Sequence, residues 1–146
     1  MKVLCVCTGN VCRSPMLEAL LRREYEKLGR TDVIVHSAGV MTNDDMAPTA
    51  EAVAVMKEIG IDISKHRSRQ VTPAIIEESD VFVALTTEHG VTLAFYHAAD
   101  PEKVVMPGAG IPDPYCLPIA AYRTCRDDLL EALPQLITDI DAVCNK

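Results

Sequence analysis

The chain has no tryptophan, and aromatic residues make up only 4% of it, as four Tyr and two Phe. A deep aromatic wall around any ligand is therefore thinly supplied. It also has no apolar run near the roughly 18–20 residues that a membrane span needs, and no internal repeat, low-complexity tract or linker. Met1-Lys2 leads straight into "VLCVC", which is too short for a secretory signal and lacks a small-residue cleavage site. The expected compartment is the cytoplasm. Positive charge is scarce: 14 Lys and Arg against 21 Asp and Glu leave a formal charge of −7. That balance speaks against a nucleic-acid or anionic-membrane partner. An anion would have to be held locally, by a few donors acting against the field of the whole molecule. The His and Cys spacings match no zinc pattern, so no metal and no cofactor are expected.

What is present is an ordinary globular composition, with 49% hydrophobic and 24% charged residues in 146. The expectation is a single domain over 1–146, large enough for a real core. Six Cys could mean a disulfide framework, but a core of this size needs no staples.

Strand and helix signals alternate. "KVLCVC" reads as a buried strand. A helix follows, with Ser14 as candidate N-cap, Pro15 at its first position and Gly29 as its stop. "DVIVHSAG" is a second strand, and "PTAEAVAVMKEIG" a helix closed by Gly60. "VTPAIIEES" is a short helix capped by Thr72, "DVFVAL" a third strand, and "TTEHGVTLAFYH" a helix weakened by Gly90. "KVVM" is a short fourth strand, followed by the Pro/Gly-rich "PGAGIPDPYCLP". The last helix should run from about Ile119 to Val143 and bend at Pro134. This order predicts an α/β three-layer sandwich, flavodoxin-like, with about four parallel strands. Such folds bind ligands outside the carboxyl ends of their strands, so the loop after strand one is the first place to look.

That loop is "CTGNVCRS". Gly9 accepts positive φ freely and Asn10 tolerates it, so the backbone can curl its N–H groups inward. The helix start adds a partial positive charge, and Arg13 adds a planar fork for two oxygens of a phosphate-like anion. The same surroundings favour thiolate over thiol in a cysteine. Of the six Cys, Cys7 alone has Arg six positions later. Read alone, Cys7 is either a small core residue or a nucleophile at the floor of an oxyanion cradle.

"CTGNVCRS" with Pro15 closely resembles the active-site loop of the low-molecular-weight protein tyrosine phosphatases. The likeness extends to "HSAG" at 36–39, "HRSRQ" at 66–70 and "DPY" at 113–115. The resemblance implies that Cys7 is the nucleophile, Arg13 the phosphate clamp and Asp113 the general acid, then base. Thr8, Gly9, Asn10, Val11, Cys12 and Ser14 would line the phosphate-binding loop, and Tyr115 the substrate. Ser14 would also donate a hydrogen bond to the thiolate, while Asn10, Ser37 and His66 hold the loop in shape. Cys12 would be the partner for reversible disulfide protection of Cys7. Arg67 and Arg69 are surface charges or supports, and Cys5 is core.

Three departures bear on substrate. The stretch after "SAG" is "VMTNDDM", without the aromatic that many members place there, and Cys116 stands where many have a second aromatic after "DPY". Thr8 and the "SAGV" turn resemble the protein-arginine phosphatases of the same fold. That branch typically has Thr four positions after the nucleophile, and the tyrosine branch Ile; Val11 tips the reading towards phosphotyrosine. Arsenate reductases share the loop but need two further resolving Cys, and Cys116 and Cys125 are not placed as that relay. A non-catalytic anion sensor would need neither Cys7 nor Asp113. The implied partners are phosphorylated proteins and oxyanions held in the loop.

Overall fold

A computed structural model describes residues 1–145. The strands are β1 (Lys2–Cys7), β2 (Ile34–Gly39), β3 (Val81–Ala84) and β4 (Val104–Val105). They form one sheet in the order β2-β1-β3-β4, with every pairing parallel. The helices are α1 (Arg13–Lys27), α2 (Ala50–Lys57), α3 (Pro73–Glu78), α4 (Thr87–Tyr96) and α5 (Ile119–Cys144). A single 3₁₀ turn, Pro101–Lys103, leads into β4.

The unbroken apolar run of β1 is explained by its central place. Its alternate side chains enter two separate cores, because successive residues of a strand point to opposite faces. Val3, Cys5 and Cys7 join Leu20 of α1, Met56 of α2 and Leu129 of α5 on one face. Leu4 and Val6 join Phe82 of β3, Ile75 of α3 and Leu93 of α4 on the other. This is the expected three-layer arrangement. Cys5 is core, and its burial pushes its thiol pKa well up.

The ends of the helices follow local chemistry. Thr49, Thr72 and Thr86 cap α2, α3 and α4 through their side-chain oxygens. Gly29, at φ +69°, closes α1 in a Schellman turn: Gly29 N donates to Glu26 O and Arg30 N to Tyr25 O. The start of α1 departs from the sequence expectation. The helix begins at Arg13, so Ser14 is its second residue and Pro15 its third, and the N-cap position is Cys12 without a side-chain cap bond. The Ser14 hydroxyl is committed elsewhere. Helix α5 runs through Pro134 as one element to Cys144. Among the described residues no helix is long and apolar enough to cross a membrane.

Candidate active site

The loop from Cys7 to Ser14 lies at the carboxyl end of β1, against the end of β2, where Cys7 pairs with Gly39. A Cβ at Gly39 would stand 2.5 Å from Thr8 O and 3.1 Å from Asn10 N. Only glycine lets the second strand pass this close to the loop. Just beyond it, Val40 N donates to Cys7 O and Met41 N to Thr8 O, both at 3.0 Å. The loop is thereby fastened to the segment after β2.

Asn10 sits at φ +56° and is fully buried. Its hydrogen bonds fix the proton order of the site. Arg69 N can only donate, and it reaches Asn10 Oδ1 at 3.0 Å, so the amide nitrogen must face the other way. Asn10 Nδ2 then donates to Ser14 Oγ at 2.8 Å and Ser37 Oγ at 3.0 Å. Ser37 passes its own proton to Glu18 Oε1 at 2.7 Å. Ser14, having accepted from Asn10, has its hydrogen free for Cys7 Sγ, 2.9 Å away. Asn10 N–H also points at that sulfur, at 3.3 Å. On the outside of the loop His66 Nε2 lies 3.0 Å from Asn10 O. A carbonyl cannot donate, so His66 carries its proton on Nε2.

Two donors therefore converge on a buried sulfur. The remaining loop amides of Thr8, Gly9, Val11 and Cys12 have no acceptor within the described residues. Arg13 is almost wholly buried: Nη1 donates to Ile111 O at 3.0 Å, Nη2 lies 3.5 Å from Asp113 Oδ2, and Nε has no partner. A buried guanidinium N–H without an acceptor is costly. Unpaired amides and an unpaired guanidinium N–H together make a cradle for a tetrahedral oxyanion, with the sulfur beneath it.

Asp113 is half-exposed over this cradle, and its Oδ1 accepts Tyr115 N at 3.0 Å, which pins the turn. Cys12 Sγ lies 3.9 Å from the same oxygen, and burial, then Cys7, pushes the Cys12 thiol up to about 12. A cavity of about 330 Å³ opens above Cys7, with Val11, Met41, Met46 and Tyr115 as its apolar wall. Gln70 holds that wall in place: its Oε1 accepts Thr42 N at 2.9 Å and its Nε2 donates to Val40 O at 3.0 Å.

The structure thus brings Cys7, Thr8, Gly9, Asn10, Val11, Cys12, Arg13, Ser14, Ser37, His66, Asp113 and Tyr115 into one neighbourhood. Arg69 is a support, bonding Asn10 through its N–H and Ser37 O through Nε at 3.2 Å. Arg67 turns to Ser64 O and His66 O instead. Cys116 is exposed and Cys125 buried in the core. Sequence reasoning missed Met41, Met46, Gln70, Glu18 and His89. The spacing of Ser14, Glu18 and Arg22 along one helical face is a readable signal for Glu18. Nothing in the sequence signals the bond of His89 to Thr8, which lies 81 residues away.

The family model for low molecular weight phosphotyrosine protein phosphatase matches residues 2–145. A protein-arginine-phosphatase of Bacillus subtilis (strain 168) is 36% identical over 143 residues, covering 93% of this chain and 94% of that one. A probable low molecular weight protein-tyrosine-phosphatase, EpsP, of Ralstonia nicotianae is 33% identical over 144 residues, covering 96% and 91%. Among solved structures, a YwlE arginine phosphatase C7S mutant with phosphorylated active site serine superposes with a TM-score of 0.89. It is 32% identical, with 97% of this chain and 96% of that one covered.

Proposed function

The chain belongs to the low molecular weight phosphotyrosine protein phosphatase family, and on that premise we propose that it hydrolyses phosphotyrosine in proteins through a phosphocysteine on Cys7. The observation that carries this reading is the cradle itself. A sulfur receives donors from Ser14 and Asn10 beneath unpaired amides and an unpaired Arg13 Nε–H. In the first step Cys7 Sγ attacks phosphorus while Arg13 and the loop amides hold the phosphoryl oxygens, where charge develops. Asp113 gives its proton to the departing oxygen. In the second step water attacks phosphorus, the S–P bond breaks with its electron pair returning to sulfur, and the water proton goes to Asp113. Sulfur supplies the nucleophile, so the chemistry draws on no metal.

The tyrosine assignment rests on the wall of the mouth. Val11, Met41, Met46 and Tyr115 present apolar and thioether surface, and sulfur packs well against an aromatic ring. No carboxylate but Asp113 lines that cavity to meet a guanidinium. The second reading, a protein-arginine phosphatase, is favoured by the Bacillus subtilis relative. Its discriminating contact would be a hydroxyl at position 11, where this chain has Val. A catalytic thiol of this kind works only while reduced, which accords with a cytoplasmic setting.

The test compares rates on a phosphotyrosine and a phosphoarginine peptide of the same sequence, for the wild type and Cys7→Ser. The expected result is faster turnover of phosphotyrosine and none in Cys7→Ser. Faster release from phosphoarginine would transfer the assignment to the second reading. Near-normal turnover by folded Cys7→Ser would end both.

A further inference from the structure

A second cavity, of about 510 Å³, lies beside the first. Thr8, Arg13 and Asp113 line both, so the two spaces meet at those three side chains. The walls of the second are polar and include Thr86, Thr87, Glu88 and His89. The mouth above Cys7 must hold the leaving residue of a protein substrate. The second cavity shares Thr8, Arg13 and Asp113 with that mouth, and its polar lining suits water.

At the junction stands a three-membered chain that the mechanism above does not use. His89 is buried, with Nε2 at 2.9 Å from Thr8 Oγ1 and Nδ1 at 3.0 Å from Thr86 Oγ1. Thr86 also accepts the backbone N–H of His89 as the cap of α4, so the ring is held at both nitrogens and its backbone at a third point. Burial and the neighbouring positive charge of Arg13 push the His89 pKa down to about 4. The ring is neutral near pH 7, with one donor and one acceptor nitrogen. In either tautomer it engages Thr8 Oγ1, and in either the hydroxyl keeps a lone pair for a further partner. Thr8 is exposed at the cavity surface yet fixed from behind.

We propose that Thr8 and His89 seat the water that hydrolyses the phosphocysteine, with Thr8 Oγ1 accepting one of its hydrogens and Asp113 the other. Both lone pairs of the water oxygen are then free, and one is aimed at phosphorus. As the O–P bond forms and the S–P bond breaks, the electron pair returns to Cys7 and one water proton moves to Asp113. The hydrogen on Thr8 stays with water oxygen as part of the phosphate product. His89 touches none of the reacting atoms; it is a positioning residue that keeps the Thr8 hydroxyl turned to the junction.

This inference rests on the phosphocysteine reading, and the two fail in different ways. Thr8→Val removes the hydroxyl but keeps the shape. Stopped-flow release of nitrophenol from p-nitrophenyl phosphate should show an enlarged burst approaching one equivalent, then steady turnover slowed about 10–100-fold. KM should fall with kcat while kcat/KM stays within about twofold, because kcat/KM reports only up to the phosphorylation step. His89→Ala should reproduce that pattern, His89→Gln should restore part of it, and His89→Ala added to Thr8→Val should cost nothing more. A proportional fall in kcat/KM without accumulated phosphoenzyme overturns the water-seating role, as does full additivity of the two variants. Should His89→Ala not fold, Thr8→Val alone decides by the same criterion. Failure to trap any phosphate on Cys7 in rapidly quenched Thr8→Val or wild type would instead end the phosphocysteine reading.

Discussion

Replacing Asn10 by alanine should uncouple the phosphate loop from the rest of the molecule, and the structure gives its size. The side chain makes three hydrogen bonds: Nδ2 to Ser14 and Ser37, and Oδ1 from Arg69 N. Each is worth about 0.5–1.5 kcal/mol net, more where a buried partner is left alone. Alanine must also adopt φ near +56°, which costs a residue with a Cβ about 1 kcal/mol. The total is about 3–5 kcal/mol, a large part of the 5–15 kcal/mol of an ordinary domain. Urea unfolding followed by circular dichroism suits a chain without tryptophan. Asn10→Gly, which accepts the same φ, should recover about 1 kcal/mol of the loss and none of the phosphate affinity. The reasoning is refuted if Asn10→Ala loses less than about 1 kcal/mol and binds inorganic phosphate as the wild type does.

Asp113→Asn should slow phosphotyrosine turnover by about 10²–10⁴, and much less for aryl phosphates whose leaving group needs no proton; an equal loss on both excludes the acid role. Mild peroxide should oxidise Cys7 to the sulfenic acid, which Cys12 then displaces as a disulfide with loss of water. Peptide mapping and recovery by thiol check this, and a sulfinic acid at Cys7 with Cys12 untouched counts against it. The His89 pKa, lowered to about 4 in the folded state, also sets a stability trend. Below about 6.5 the unfolded chain takes a proton that the folded one refuses. Stability should therefore fall as pH drops from about 6.5 towards 4, with up to about 1.4 kcal/mol per pH unit from this group. His89→Gln should flatten that part of the slope in denaturant titrations at each pH, and an unchanged slope would show that the folded protein protonates His89 normally.

The features legible in the sequence are those that a few neighbouring residues specify. A glycine, an asparagine and an arginine within one loop announce an anion cradle, because turn geometry and charge act over a few residues. The alternation of β-branched runs with capped helices likewise announces the sheet and its carboxyl edge. Ser14 is not the cap that its position suggests, for an equally physical reason. A hydroxyl before Pro is a good cap in isolation, but the buried sulfur and Asn10 compete for it, and they win. Met41 and Met46 are not legible as lining of the cavity above Cys7, since a stretch without aromatics names no ligand. His89 has Thr86 beside it in sequence but reaches Thr8 only when the end of β3 comes beside the end of β1, where the sheet pairs them directly.

The bonds that tie Asn10 to residues outside the loop span 27, 56 and 59 residues, and the one that anchors Arg13 spans 98. An eight-residue signature therefore has no autonomous shape. Excised as a peptide, it would keep its sequence and the short bonds among Cys7, Asn10 and Ser14 but lose its curl, since the struts that brace it from outside come from distant parts of the chain. Ligand affinity and global folding are then one equilibrium, and phosphate at about 100 times its Kd should raise the unfolding free energy by about 2.7 kcal/mol. During synthesis the thiol at position 7 is made early, but its clamp closes only after Ile111 and Asp113 have left the ribosome. A partly made chain carries the cysteine without the chemistry.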